Sequence, residues 1–168
     1  MRTPSVLIPS ATTQQRLSLR HLLSAAGSTA ATAALAIGRY ADKRKVSEAW
    51  RELQERYEAL HLNSKEQALL DVLHRNPDEK KMVFVHHRET LLRLQTLAAE
   101  NGLDCVLFEG RMTGPEKDRA IEYFRGEVPL LLCTESGGEG RNLQFCNTLI
   151  NFDLPWNPMA IEQRIGRI

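Results

Sequence analysis

An α/β fold, with a parallel sheet covered by helices on both faces and a helical extension in front of it, is what this sequence of 168 residues predicts. Three observations lead there. Short apolar runs occur in "KMVFVHH", "LDCVLFEG", "VPLLLCTES" and "NTLINFD", and helical stretches separate the first three. Each run is apolar at consecutive positions, the pattern of strands buried on both faces of a parallel sheet. The front third has no such run and instead repeats its apolar residues every three or four positions. The length suits one core plus an appendage and is too short for two full α/β domains.

Taken in order, the elements begin with "RHLLSAAGSTAATAALAIGRY", rich in Ala, Ser and Thr, and no acidic residue precedes Asp42. An acid-poor, Arg-bearing stretch of this kind admits two readings, a targeting segment or an internal pair of Ala-rich helices. Gly27, Ser28, Thr29 and Thr32 interrupt it, and it is too short and polar to span a bilayer. The helix pair is the expectation. "SEAWRELQERYEALH" follows with Trp50, Leu53, Tyr57 and Leu60 on one face and Arg51/Glu55 and Glu52/Arg56 as i,i+4 pairs, so an amphipathic helix is predicted. "NSKEQALLDVLHR" predicts the next, with Ser64 and Gln67 as a capping box and Ala68, Leu69, Val72 and Leu73 as the stripe. It should end near Asn76-Pro77. Beyond, "RETLLRLQTLAAENG" and "TGPEKDRAIEYFRG" are the crossover helices, the second opened by a Thr113/Glu116 capping box. Asn157-Pro158 caps a terminal helix.

Charge excludes little. With 22 Lys and Arg against 21 Asp and Glu, the net balance does not point to nucleic acid or an acidic membrane, yet it permits a local basic groove. Cys105, Cys133 and Cys146 lie far apart with no CxxC pair, so neither a disulfide framework nor a zinc site is predicted, and a reducing cytoplasm is the simpler home. Cys133 and Cys146 sit in or beside apolar strands and read as small core residues.

Ligands of open parallel sheets gather at the carboxyl ends of the strands. The polar stretches at those ends are "HHRET", "EGRMT", "TESGGEGRNLQ" and "DLPWNP". Three glycines within four residues in "SGGEG" allow backbone N–H groups to approach an anion, and Thr134 and Ser136 add hydroxyl donors that suit phosphate. A tight connection needing positive φ accounts for the glycines equally well. No GxxxxGKS/T motif occurs, so a triphosphate with magnesium must be held mainly elsewhere. Asp78-Glu79 precedes a strand, the wrong end for a metal-holding carboxylate. In "IEQRIGRI", Arg164 and Arg167 share one helical face, with Gln163 beside them and Gly166 permitting close packing. A guanidinium of this kind, offered to a transferring phosphoryl group, stabilises transition-state charge. Trp156, between two prolines, reads as packing beneath the terminal helix in preference to stacking on a base.

The run "TESGGEGRNLQFCNTLINFDLPWNPMAIEQRIGRI" resembles motifs V and VI of superfamily-two helicases, in particular the Snf/Swi-type DNA translocases and their bacterial branch that includes the RNA-polymerase-recycling ATPase. "KMVFVHHRETLLRL" is similar to motif IV of that family, and "LFEGRMTGPEKDRAIEYFR" to the segment after it. The resemblance implies a RecA-like C-terminal helicase lobe over residues 64–168, incomplete within motif VI, with residues 1–63 belonging to a helical interlobe insertion. It implies that Gly138, Glu139, Gly140 and Asn142 lie near an interlobe nucleotide cleft, with Gln163 and Arg164 on its wall and Arg167 as an arginine finger. The family's second finger would fall at position 170. Thr134, Ser136, His87, Arg88, Gly110 and Arg111 match positions that face nucleic acid. The implied cofactors are ATP and magnesium, held mainly by an N-terminal lobe outside this chain. The implied partners are double-stranded DNA, that lobe in cis, and RNA polymerase or another DNA-bound complex; no membrane is expected, and the location is cytoplasmic, with the nucleoid. The chain alone should not hydrolyse ATP. Rival readings are a non-catalytic DNA- or protein-binding module from a degenerate lobe, an RNA helicase lobe, and a nucleotide-sugar transferase lobe.

Overall fold

The computed structural model describes residues 12–44, 48–134, 143–155 and 157–166. Four strands, β1 (Lys81–Val85), β2 (Cys105–Phe108), β3 (Leu130–Thr134) and β4 (Thr148–Asn151), form a sheet in the order β2-β3-β1-β4. Every pairing is parallel. The continuous apolar runs therefore become strands with both faces covered, as their lack of alternation requires.

The two faces carry separate clusters. Val83 and Val85 point to one side, where they meet Leu69, Leu70 and Leu73 of α4 (Ser64–Arg75) and Leu91, Leu94, Leu97 and Ala98 of α5 (Arg88–Glu100). Met82 and Phe84 point to the other, against Ala120, Ile121 and Phe124 of α6 (Gly114–Gly126) and against Leu143 and Cys146. Cys133 and Cys146 are fully buried there, as core residues. Burial raises the Cys146 thiol above its ordinary pKa, and burial does the same to Cys105, so both stay protonated at neutral pH.

Helix starts follow the predicted chemistry with one correction. Thr113 and Glu116 form the reciprocal box that opens α6, and Asn157 caps α7 (Pro158–Ile165) through Met159 N–H at 3.1 Å. The box of α4, however, is Asn63 with Glu66 and not Ser64 with Gln67. Glu66 wins because it is doubly held: it accepts Asn63 N–H at 2.9 Å and Arg93 Nε at 2.9 Å while 2% exposed. Gln67 instead faces outward and bonds Asp71.

The extension consists of α1 (Thr13–Ala26), α2 (Ala30–Arg44) and α3 (Glu48–Glu58). Its alanines serve close packing: Ala25, Ala30, Ala33, Ala34, Ala36 and Ala41 are buried with Ile37. The stripe predicted for α3 is only partly covered, since no residue of that helix is buried and Leu53 remains exposed. Trp50 stacks on Tyr40 of α2 at 4.9 Å. The α1–α2 turn is joined to the sheet domain by hydroxyls. Ser28 Oγ lies 2.6 Å and Thr32 Oγ1 2.8 Å from Thr90 Oγ1 of α5, and Arg39 pairs with Glu89 at 2.9 Å. No helix among the described residues is long and apolar enough to cross a membrane.

Candidate nucleic-acid interface

The strand order brings the carboxyl ends of β2, β3 and β1 side by side. After β1 the chain enters α5, on the face that carries α4, and Leu143 packs on the opposite face with α6. The carboxyl edge of an open α/β sheet is the usual seat of ligands. Thr134 is paired with Val85 at that edge. Its Oγ1 is buried and has no hydrogen-bond partner among the described residues. Buried hydroxyls are normally paired, so an orphan here marks a place where a polar group belongs.

Beside it lie three charged side chains. Glu109, just past β2, is 6% exposed; its Oε2 accepts a hydrogen bond from Arg88 Nε at 3.0 Å and forms an ion pair with Arg111 Nε at 2.9 Å. Arg111 also donates through Nη2 to Oε1 at 3.2 Å. The two arginine side chains nevertheless remain 46% and 64% exposed, so their outer edges face solvent. Gly110 connects Glu109 to Arg111 and is half-buried.

His87 takes a different place from the one expected for a nucleic-acid contact. Its ring is buried under α1, with Nε2 2.9 Å from Ser24 Oγ, and it meets His21 and His86 edge-on at 5.3 and 4.8 Å. Burial, followed by repulsion from His86, lowers its pKa below the ordinary 6.5. The ring is therefore a neutral packing element joining the extension to the β1–α5 loop. His86, exposed, is the neighbour that faces out.

At the other side of β1, Asp153 gathers four segments. It accepts Ser28 Oγ and His86 N–H, each at 2.9 Å, and pairs with Lys65 at 2.9 Å. Lys65 in turn bonds Gly27 O at 2.8 Å and lies 4.2 Å from the centre of the Phe152 ring. A cavity of about 490 Å³ opens here, lined by Leu23, Ser24, Lys65, His86, Asp153 and Leu154 among others.

Gln163 and Arg164 of α7 part company. Gln163 is exposed, while Arg164 is 3% exposed, donates to Asn151 Oδ1 and lies over the Phe84 ring at 4.5 Å. Its charge thus anchors α7 to the sheet. Ser136, Gly138, Glu139, Gly140, Asn142, Trp156 and Arg167 lie outside the described residues. Glu79 sits at the amino end of the sheet, opposite the carboxyl edge, where Thr148 donates to it and lowers its pKa. No cluster of His, Cys, Asp and Glu suited to a metal ion occurs among the described residues.

Sequence reading missed Glu109, Asp153 and Lys65. Glu109 stood in plain view inside "FEGR", between residues already singled out. Asp153 and Lys65 carried no such mark, because their partnership spans 88 positions.

Comparison with known proteins gives a consistent picture. The helicase conserved C-terminal domain family matches residues 64–168. The uncharacterized ATP-dependent helicase YqhH of Bacillus subtilis (strain 168) is 47% identical over 106 residues, covering 63% of this chain and 19% of that protein. The RNA polymerase-associated protein RapA of Proteus mirabilis is 45% identical over 104 residues, 60% of this chain and 11% of that protein. The chain thus spans no more than about a fifth of these relatives. Among solved structures, the C-terminal part of the Fun30 ATPase domain superposes with a TM-score of 0.63 at 17% identity over 95% of this chain and 68% of that one, a likeness of fold. The Escherichia coli DEAD-box protein SrmB superposes at 0.55 and 26% identity over 61% of each chain.

Proposed function

The chain belongs to the helicase conserved C-terminal domain family, and from that premise we propose that it is the C-terminal motor lobe of an ATP-dependent double-stranded DNA translocase. In this reading the carboxyl edge of the sheet grips one strand by its phosphates through Thr134, Ser136, Arg88, Gly110 and Arg111. Contacts of that kind are indifferent to base sequence and sensitive to salt. The observation that supports the grip most is the Arg88–Glu109–Arg111 group beside the orphan hydroxyl of Thr134. Both features suit a tetrahedral anion, which offers acceptors to guanidinium forks and hydroxyls alike.

The described residues offer neither a carboxylate set for magnesium nor a Walker loop for a triphosphate. ATP and magnesium are accordingly assigned to a separate lobe of the full-length protein. When bound, they supply the phosphoryl transfer whose free energy drives the cycle. The residues of this chain assigned to that nucleotide are Gly138, Glu139, Gly140, Asn142 and Gln163, with Arg167 as the finger. Arg164 acts as the anchor that fixes α7 to the sheet. Closing and opening of two lobes would advance the phosphate grip along the duplex. The proposed partner is RNA polymerase or another DNA-bound complex, at the bacterial nucleoid; the RapA relative is an RNA polymerase-associated protein.

The test is Arg167→Ala in the full-length protein. Loss of an arginine finger removes transition-state stabilisation worth roughly 10³–10⁵ in rate. DNA-stimulated hydrolysis should collapse while nucleotide binding persists; turnover that survives the substitution rejects the finger.

A further inference from the structure

We propose that Glu109 is a positioning residue, which sets Arg88 and Arg111 around a single backbone phosphate at the carboxyl end of β3. The inference rests on the phosphate-gripping reading above. Its basis is topological. β3 lies between β2 and β1, so Glu109, past the end of β2, reaches Arg88, past the end of β1, across roughly 10 Å of sheet. The ion pair bridges the edge at which Thr134 ends β3, with a buried hydroxyl that has no partner among the described residues.

The bonding pattern favours order over neutralisation. Arg88 contributes Nε, and Arg111 contributes Nε and Nη2, to a carboxylate whose side chain is 8% exposed. Holding Arg88 by Nε leaves both its terminal nitrogens, and holding Arg111 by Nε and Nη2 leaves its Nη1, for a phosphate, which guanidinium N–H groups bind well. The carboxylate itself is fixed from below. Phe108, one residue before it, is fully buried, and Glu109 N–H donates to Met112 Sδ at 3.2 Å. Two long side chains that would otherwise roam are thus arranged before the anion arrives, which lowers the ordering cost of binding.

Electrostatics alone predicts the opposite behaviour, and this separates the two accounts. With Glu109 ionised the trio carries one net positive charge; replacing the carboxylate by an amide raises it to two. If Glu109 were merely a negative charge near the interface, its removal would strengthen binding to a polyanion. A positioning role predicts weakening in spite of the added charge.

The experiment is fluorescence anisotropy of a labelled blunt DNA duplex with this chain over a series of salt concentrations, with melting curves as a check on folding. Arg88→Ala and Arg111→Ala should each weaken binding and reduce the slope of log affinity against log salt by about one phosphate contact. Glu109→Gln should weaken binding about 3- to 10-fold and reduce the slope likewise, and in the Arg88→Ala/Arg111→Ala background it should weaken nothing further. Glu109→Asp, which keeps the charge but draws the carboxylate back by one methylene, should also weaken it, and serves if the Gln variant does not fold. Affinity unchanged or increased in folded Glu109→Gln or Glu109→Asp, with both arginine variants weakened, overturns the positioning role alone. No loss in the arginine variants, or no duplex binding by the unsubstituted chain, overturns the phosphate-gripping reading and this inference with it.

Discussion

Single residues divide this molecule into those that reach outward and those that tie it together. Arg88 and Arg111 look outward from a buried carboxylate, whereas Arg164, of the same chemistry, is turned inward onto Asn151 and Phe84. Residue type and helical spacing made Arg164 visible in the sequence but did not give its direction, because the face of a helix that meets the sheet is decided by tertiary packing. Asp153 illustrates the same gap, since an aspartate in a loop is ordinary until Ser28, Lys65 and the His86 N–H converge on it. Removing it by Asp153→Ala strands those donors, and a cost of about 1–3 kcal/mol is expected in the melting of the chain. His87 adds a dependence on pH. Its pKa is lowered in the folded state, so below 6.5 the unfolded chain binds the proton first and stability falls as pH falls. Thermal midpoints between pH 7.5 and 5.5 should decline less steeply in His87→Gln than in the unsubstituted chain; parallel curves would contradict the assignment.

Elements were the most legible level. Period and continuity of apolar residues located the strands and the crossover helices, since β1 and β3 are buried along nearly their whole lengths. Boundaries were less secure where two adjacent residues compete for one cap. Asn63/Glu66 and Ser64/Gln67 both satisfy the pattern, and only the long-range pairing of Glu66 with Arg93 decides between them. Asn63→Ala should therefore destabilise the chain by about 1 kcal/mol, in keeping with loss of an N-cap. Ser64→Ala should leave the denaturation midpoint nearly unchanged, and an equal loss in both variants would return the cap to Ser64. The extension was legible as helices, whereas its attachment was not. The hydroxyls of Ser28, Thr32 and Thr90 look unremarkable in sequence, and they are buried only because α1 and α2 fold over α5.

At the scale of the whole molecule, strand order is what turns polar loops into a site, and apolar patterning does not specify it. Placing β3 between β2 and β1 brings "EGRMT", "HHRET" and Thr134 to one edge of the sheet. The docking of α1 and α2 against α5 and Asp153 also predicts that extension and sheet unfold together. Urea transitions read by far-UV circular dichroism and by Trp50 fluorescence in a Trp156→Phe background should coincide; separate transitions would mean that the extension is an independent unit. Whether the lobe works in a DNA-driven motor is read from ATP turnover of the full-length protein with and without duplex DNA. Turnover that rises with duplexes of unrelated sequence, falls with salt, and disappears in Arg167→Ala is the predicted result. Turnover indifferent to nucleic acid, or stimulated by a single sequence only, would contradict it.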